Sequence, residues 1–282
     1  MKTALVTGGA GFVGTNLIKR LIKMGVNVCS LDNYNTGLKS NHQSGARYIQ
    51  ADIRDIKNFS ELGKFNIVYH MAAIARIQPS FDDPKSYFTT NANGTMALAD
   101  WCASTETPII YAGSSSKHSG RFKNPYTFSK DIGEDIIKLY QEHYNLRASI
   151  ARFYNVYGPH QLLEGGYTTL IGRWIHSIKN AQETIVYGDG LQRRDFTHIE
   201  DIIDALILIE EKSSYGLDFE LGRGRNYSVL EVAEMFDITS QLLFKPAKRG
   251  EARETLNTDK TAHEILGWNP KLNLEDYIRG LK

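Results

Sequence analysis

Tyr126 and Lys130 stand four residues apart, the separation that places two side chains on one face of a helix. A phenol with a pKa of about 10 is a poor base at neutral pH, but a neighbouring ammonium favours the phenolate and brings it toward the working range. The chain has 15 tyrosines, so one such pair is expected by coincidence and its position has to decide. The pair opens a predicted helix. The strand before it ends in Ala112-Gly113-Ser114-Ser115-Ser116, whose hydroxyls could share the phenol's proton and orient a substrate hydroxyl. A second constellation lies near the N-terminus. Gly8, Gly9, Gly11 and Gly14 form TGGAGFVG between a strand and a helical pattern, satisfying both Gly9-x-Gly11-x-x-Gly14 and Gly8-x-x-Gly11-x-x-Gly14. Glycines there turn the chain tightly, admit a pyrophosphate to the backbone and aim a helix N-terminus at it. Asp32 ends the next strand, 18 residues after Gly14, where a carboxylate can accept both ribose hydroxyls of a dinucleotide. It would repel a 2′-phosphate, which favours NAD(H) over NADP(H), although Lys39 and Arg47 lie near in sequence.

These groups need a frame. Strand patterns at Ala4–Thr7, Asn27–Leu31, Tyr48–Ala51, Ile67–Met71, Pro108–Ala112 and Ala148–Phe153 alternate with helical ones at Phe12–Met24, Lys85–Ala103 and Tyr126–Tyr144. Nearly continuous apolar strands in such alternation indicate an α/β fold, a doubly wound parallel sheet of Rossmann type covered on both faces. The second half is less regular. Helical patterns cover about Thr168–Lys179, Glu200–Glu211, Leu230–Phe236 and Lys260–Leu266, with strands near Ile185–Tyr187 and Phe219–Leu221. Ser228 and Glu231 have capping-box spacing. The expected division is a dinucleotide-binding domain over 1–156 with return segments about 194–222, and a smaller C-terminal α/β substrate-binding portion from 157–193 and 223–282.

Composition narrows the function classes. The 282 residues carry 33 Lys+Arg against 32 Asp+Glu, a net charge of +1, which offers no field for nucleic acid or anionic lipid. With 41% hydrophobic residues the chain is globular in composition, and no apolar run approaches the ~20 residues of a membrane span. The start MKTALVTGG is too glycine-rich for a signal peptide. Cys29 and Cys102 lie in apolar segments, so buried free thiols and a cytoplasmic location are expected. The histidines show no metal-ligand spacing, and no metal is expected.

Further motifs extend these two. DNYNTG (Asp32–Gly37), ADIRD (Ala51–Asp55), HMAA (His70–Ala73), NANGT (Asn91–Thr95), YTFSK (Tyr126–Lys130), RFYNVYGP (Arg152–Pro159), GDGLQRRDFTHIEDI (Gly188–Ile202) and LGW (Leu266–Trp268) follow in order. In that order the chain resembles the extended short-chain dehydrogenase/reductases of the NAD-dependent nucleotide-sugar epimerase/dehydratase family, and most of all UDP-glucose/UDP-N-acetylglucosamine 4-epimerases. The resemblance implies that Gly8, Gly11, Phe12, Val13, Gly14, Asp32, Asn33, Ala72 and Ala73 surround NAD. Asp52 and Ile53 would hold its adenine, and Asn91 would support the ribose and the backbone around the cofactor. Tyr126 would be the acid/base, with Lys130 lowering its pKa and holding the nicotinamide ribose. Counting forward from Tyr111 places the catalytic serine at Ser114. Counting back from Gly120 places it at Ser115, the preferred reading. Lys117-His118-Ser119-Gly120 departs from the family's Val-Tyr-Gly here.

Related 4,6-dehydratases and uronate decarboxylases carry an acidic residue just after the catalytic hydroxyl, where this chain offers only Ser115, Ser116 or Lys117. The resemblance then implies a 4-epimerase as the economical reading. By the same resemblance Asn155 would bind a diphosphate oxygen, Tyr187 would stack on the base and Arg194 would neutralise phosphate. The family's basic–x–Gly–acid pattern falls on Lys248–Glu251, so Lys248 or Arg249 would hold phosphate and Glu251 is the acid. The size gate four residues on falls on Thr255, small enough to admit N-acetylhexosamines. Arg76 and Gln78 lie where the family contacts the sugar; Arg76 would read an acidic or acylated sugar, or pair with Asp82 or Asp83. Arg193-Arg194-Asp195 could instead be a surface ion-pair cluster. Three rival functions stand beside the epimerase: a nucleotide-sugar reductase or dehydrogenase, an epimerase on a dTDP, CDP, GDP or ADP carrier, and a non-catalytic dinucleotide sensor. Relatives pair through helices matching Lys85–Ala103 and Tyr126–Tyr144, which implies a homodimer. Only ten residues separate Ser115 from Tyr126, a trimmed loop over the sugar.

Overall fold

The computed structural model describes residues 1–58 and 62–281. Its strands are β1 (Thr3–Thr7), β2 (Asn27–Asp32), β3 (Ala46–Gln50), β4 (Ile67–His70), β5 (Ile109–Ser114), β6 (Ala148–Phe153), β7 (Val156–Tyr157), β8 (Thr184–Tyr187), β9 (Arg193–Asp195), β10 (Thr197–His198), β11 (Asp218–Leu221), β12 (Asn226–Ser228) and β13 (Leu242–Lys245). Its α-helices are α1 (Phe12–Lys23), α2 (Ile77–Asp82), α3 (Pro84–Phe88), α4 (Thr95–Ser104), α5 (Pro125–Tyr144), α6 (Leu170–Lys179), α7 (Ile199–Glu211), α8 (Val229–Met235), α9 (Thr261–Leu266) and α10 (Leu274–Arg279).

The parallel sheet runs β11-β6-β5-β4-β1-β2-β3. The chain winds outward from β1 to β3, then returns to the other side at β4, so the order reverses between β1 and β4. Ligands bind such sheets in the crevice beyond the carboxyl ends at this reversal. Apolar side chains fill both faces. Leu17, Ile18 and Leu21 of α1 pack with Ile202, Ile203 and Leu206 of α7 on one face, and Leu98, Cys102 and Ile137 of α4 and α5 cover the other. Cys29 and Cys102 are both buried and free. A third cluster joins Trp174 of α6, Val186 of β8, Val232 of α8 and Ile278 of α10. Leu266 and Trp268, in the segment assigned from sequence to the substrate portion, pack instead into the α1–α7 cluster. Trp268 Nε1 donates to Asp201 O at 2.8 Å, and the Asp201 carboxylate accepts from Lys271 N and Leu272 N at 2.9 and 3.0 Å. The LGW motif thus ties the end of the chain to α7.

The expected long helix over Lys85–Ala103 is divided into α3, a π-helical turn at Thr89–Gly94, and α4. Gly94 serves this turn: a Cβ there would stand 2.5 Å from Ile53 Cδ1. Helices α2 and α10 and strands β7, β9, β10, β12 and β13 were not anticipated. The capping box at Ser228 and Glu231 is present at the start of α8. Among the described residues no helix is long and apolar enough to cross a membrane.

Candidate active site

A cavity of about 910 Å³ opens at the carboxyl ends of the strands. Its cofactor end is lined by Gly8, Gly11, Phe12, Val13, Gly14, Asp32, Asn33, Ile53, Ala72 and Ala73. Helix α1 starts from Gly11 with no side-chain cap and no acidic residue in its first turn, so its N-terminal amides are open to an anion. A Cβ on Gly14 would lie 2.2 Å from Gly8 O, which is why only glycine lets α1 approach the turn this closely. Asp32 is buried, and its oxygens accept from Ala10 N at 2.9 Å and Tyr34 N at 2.8 Å, which fixes the carboxylate at the cavity edge with lone pairs left for ribose hydroxyls. Neither Lys39 nor Arg47 lines the cavity. These residues fit an adenine dinucleotide without a 2′-phosphate. Asp52, expected at the adenine, does not line the cavity. Its carboxylate is held by Arg54 Nε at 2.8 Å and Asn33 Nδ2 at 3.0 Å, and the Arg54 bond pulls its pKa to about 2. Asn91, in the π-helical turn, also stands behind the wall, bracing it by bonds to Ile74 N, Ile74 O and Ser129 Oγ at 2.8, 2.9 and 3.0 Å.

At the reacting end Asn124 caps α5 by accepting from Thr127 N at 2.7 Å, which sets Tyr126 in the first helical turn. The Tyr126 hydroxyl donates to Ser114 Oγ at 3.3 Å, and Ser114 Oγ is 2.9 Å from Ser116 Oγ. The phenol's partner is therefore Ser114, at the end of β5, rather than Ser115, the residue preferred from sequence. Ser115 is buried and lines the cavity, but its hydroxyl makes no protein hydrogen bond among the described residues. Burial holds the Tyr126 phenol above its ordinary pKa, while the Ser114 bond and Arg76 pull it down. Lys130 lies beneath the cavity wall, its Nζ 4.1 Å from the centre of the Tyr111 ring. Burial lowers its pKa to about 7, with Glu134 opposing. The residues just after Ser114 are Ser115 and Ser116, which carry no carboxylate, and Lys117 beyond them turns to Asp131 and Glu134, at 2.7 Å from each.

The substrate end is basic. Tyr187, Arg194, Lys248, Glu251, Thr255, Asn155 and Arg76 all line it. Lys248 Nζ lies 3.8 Å from the centre of the Tyr187 ring, whereas Arg249 is exposed and stacks 3.9 Å over Phe81, so Lys248 is the one of the two that faces the cavity. Asn155 uses both amide hydrogens on Asp195 O and Thr255 Oγ1, at 3.0 and 2.9 Å, which leaves its Oδ1 as an acceptor and no side-chain donor for a phosphate oxygen. Asp195 is fully buried and accepts from Arg223 N, Gly224 N and Asn257 N at 2.8 to 3.0 Å. Asp195 therefore takes no part in a surface ion-pair cluster, while Arg193 pairs with Glu231 at 2.9 Å and Arg194 with Glu251 at 3.6 Å.

With this geometry in place, comparison with known proteins gives the lineage. Residues 4–222 match the NAD dependent epimerase/dehydratase family. The chain belongs to that family. The UDP-glucose 4-epimerase of Mycolicibacterium smegmatis is 28% identical over 299 residues, covering 97% of this chain and 95% of that one. The structure of the Thermotoga maritima UDP-glucose 4-epimerase with UDP-glucose superposes with a TM-score of 0.92 at 26% identity, covering 98% and 96% of the two chains. The Methanobrevibacter ruminantium UDP-N-acetylglucosamine 4-epimerase, in complex with UDP-N-acetylmuramic acid, gives a TM-score of 0.90 at 25% identity, with 99% and 96% covered. Other relatives are named dTDP-D-glucose 4,6-dehydratase and UDP-glucuronic acid decarboxylase, so the family spans several reactions. Its cofactor is NAD, and neighbours such as the Thermus thermophilus UDP-glucose 4-epimerase are NAD complexes.

Within this epimerase/dehydratase fold, sequence reasoning missed Arg173, on the cavity side of α6 with its guanidinium 5.8 Å from the Tyr187 ring centre. An arginine in an amphipathic helix gives no signal of its own. It also missed Tyr87, edge-on to Tyr126 at 6.2 Å, which an aromatic three residues after Pro84 does not announce.

Proposed function

We propose that the protein is an NAD-dependent nucleotide-sugar 4-epimerase acting on a UDP-hexose or UDP-N-acetylhexosamine. The observation that carries this reading is the Ser114–Tyr126 hydrogen bond at 3.3 Å, followed by Ser115, Ser116 and Lys117, none of which is an acid that could serve dehydration. Tyr126 as phenolate takes the proton of the sugar 4-hydroxyl, and Ser114 holds the oxygen that loses it. NAD, held at the Gly8–Gly14 turn and Asp32, would supply the hydride chemistry at C4. Arg194 and Lys248 would hold the diphosphate while the 4-keto sugar turns about its bond to it, and Tyr126 would return the proton to the C4 oxygen on the opposite face. Thr255, whose hydroxyl is tied to Asn155 at 2.9 Å, leaves room where a larger residue would exclude an acetamido group. Phe12, Val13, Ala72 and Ala73 shape the cofactor wall.

The test is product analysis of the purified protein with UDP-galactose and UDP-N-acetylgalactosamine. Isomer formation without net NADH is expected from both sugars. Loss of water would refute the epimerase reading, and rejection of the acetylated sugar would refute the role of Thr255.

A further inference from the structure

Charge along the cavity is unevenly matched. Arg54 is paired with Asp52 at 2.8 Å and Arg253 with Asp189 at 2.8 Å. Around Tyr187, Arg173, Arg194 and Lys248 face the diphosphate region, and Glu251, 3.6 Å from Arg194, offsets one of the three. The remainder matches the two negative charges of a nucleoside diphosphate. Arg76 is left over. It lies toward Tyr126, its Nε donates to Tyr167 O at 2.8 Å, and among the described residues no carboxylate comes within ion-pair distance. Asp83, one of the partners considered from sequence, instead caps α3 by accepting from Ser86 N at 3.1 Å.

Two further features mark this residue. Its φ of 95° lies in a region that favours glycine, and such strain persists where the surroundings hold a side chain for a purpose. Its Nε is already engaged, so the two terminal amino groups remain as a planar fork, the geometry that binds a carboxylate through two parallel hydrogen bonds. A neutral acyl oxygen would satisfy donors but leave the mostly buried charge with only the Tyr126 phenolate and Glu251 near it, neither in ion-pair contact and the second already shared with Arg194.

Resting on the epimerase reading above, we propose that Arg76 is the counter-ion of a carboxylate on the sugar, so that the preferred substrate is a nucleoside-diphosphate sugar acid. The carboxylate could be that of a uronate or of a lactyl ether. Binding of UDP-glucuronate, UDP-N-acetylmuramate, UDP-glucose and UDP-N-acetylglucosamine to the NAD-loaded protein, read by calorimetry, separates these sources. At least one acid should bind about 10-fold or more tighter than its neutral counterpart, the worth of a charge-assisted hydrogen bond. Arg76→Gln should reduce the acid-to-neutral ratio by about 10- to 100-fold. Arg76→Gly, which suits the backbone at φ 95°, should do the same, so a folding failure of the first variant cannot decide the matter. Equal affinities in the unaltered protein, or an equal loss for acid and neutral sugars in both variants, would overturn the proposal. Product identity is scored separately: an Arg76-dependent preference with no isomer formed would sink the epimerase reading and leave the carboxylate site standing.

Discussion

Tyr126 carries the proton in the proposed cycle, and Tyr126→Phe should lower kcat by about 10²- to 10⁴-fold, the usual worth of a positioned acid/base, with nucleotide-sugar binding retained. Which serine assists is decided by Ser114→Ala against Ser115→Ala. The 3.3 Å bond predicts the larger kcat loss for Ser114→Ala; a larger loss for Ser115→Ala would mean that substrate rearranges the pair. Lys130 makes a different prediction. Its folded pKa of about 7 lies below the ordinary 10.5, so between these values the unfolded chain binds more protons than the fold. Stability of the cofactor-free protein therefore rises with pH across that window, is fully present above it and is lost as pH falls through about 7. Thermal melts at about pH 7 and about pH 9 should show wild type gaining on Lys130→Met by on the order of a few degrees. Equal shifts would mean that Lys130 stays protonated in the fold.

Helix α5 is the element that sets this chemistry, and it is placed by close packing. A Cβ at Gly133 would stand 2.2 Å from Tyr111 Oη, and Tyr111 in turn donates to Lys130 O at 3.1 Å while its ring carries Lys130 Nζ. Gly133→Ala should push α5 off the sheet, costing about 1–3 kcal/mol in denaturant unfolding and lowering kcat at the same time. Unchanged stability would mean that Tyr111 yields without strain. The existence of α5, of the buried strands and of the capping box was legible because periodicity and caps are local signals. The serine register was not, since Tyr111 and Gly120 give conflicting frames across Lys117–Ser119, and the ion pairs from Lys117 to Asp131 and Glu134 that settle the path are long-range. Strand β13 was missed because among the described residues it pairs with β8 alone and is largely exposed, so it lacks the apolar run of a sheet interior. The π-helical turn at Thr89–Gly94 has no periodicity of its own; Asn91 and the contact of Gly94 with Ile53 define it only in three dimensions.

At the scale of the molecule, the face of α5 turned away from the sheet is more apolar than a solvated helix needs. Phe128, Ile132 and Leu139 recur along one side, and Leu139 is 49% exposed. Met96 of α4 is 47% exposed, and Phe122, which packs against Phe128 at 5.1 Å, is 80% exposed. Exposed apolar side chains of this kind on a chain of net charge +1 invite a partner with the same character, and we propose that a second copy supplies it through a two-fold contact in which each patch covers the other. Both helices also build the site, through Tyr126 and Lys130 in α5 and the turn of Asn91 that leads into α4. A homodimer formed there would stiffen the wall behind the phenol. Light scattering should give twice 31.8 kDa, and Leu139→Glu should yield a folded monomer with reduced kcat and largely unchanged nucleotide-sugar affinity. A wild-type monomer of full activity would show that the patch serves another purpose. A monomeric variant with unaltered kcat would show that α5 needs no support beyond its own chain.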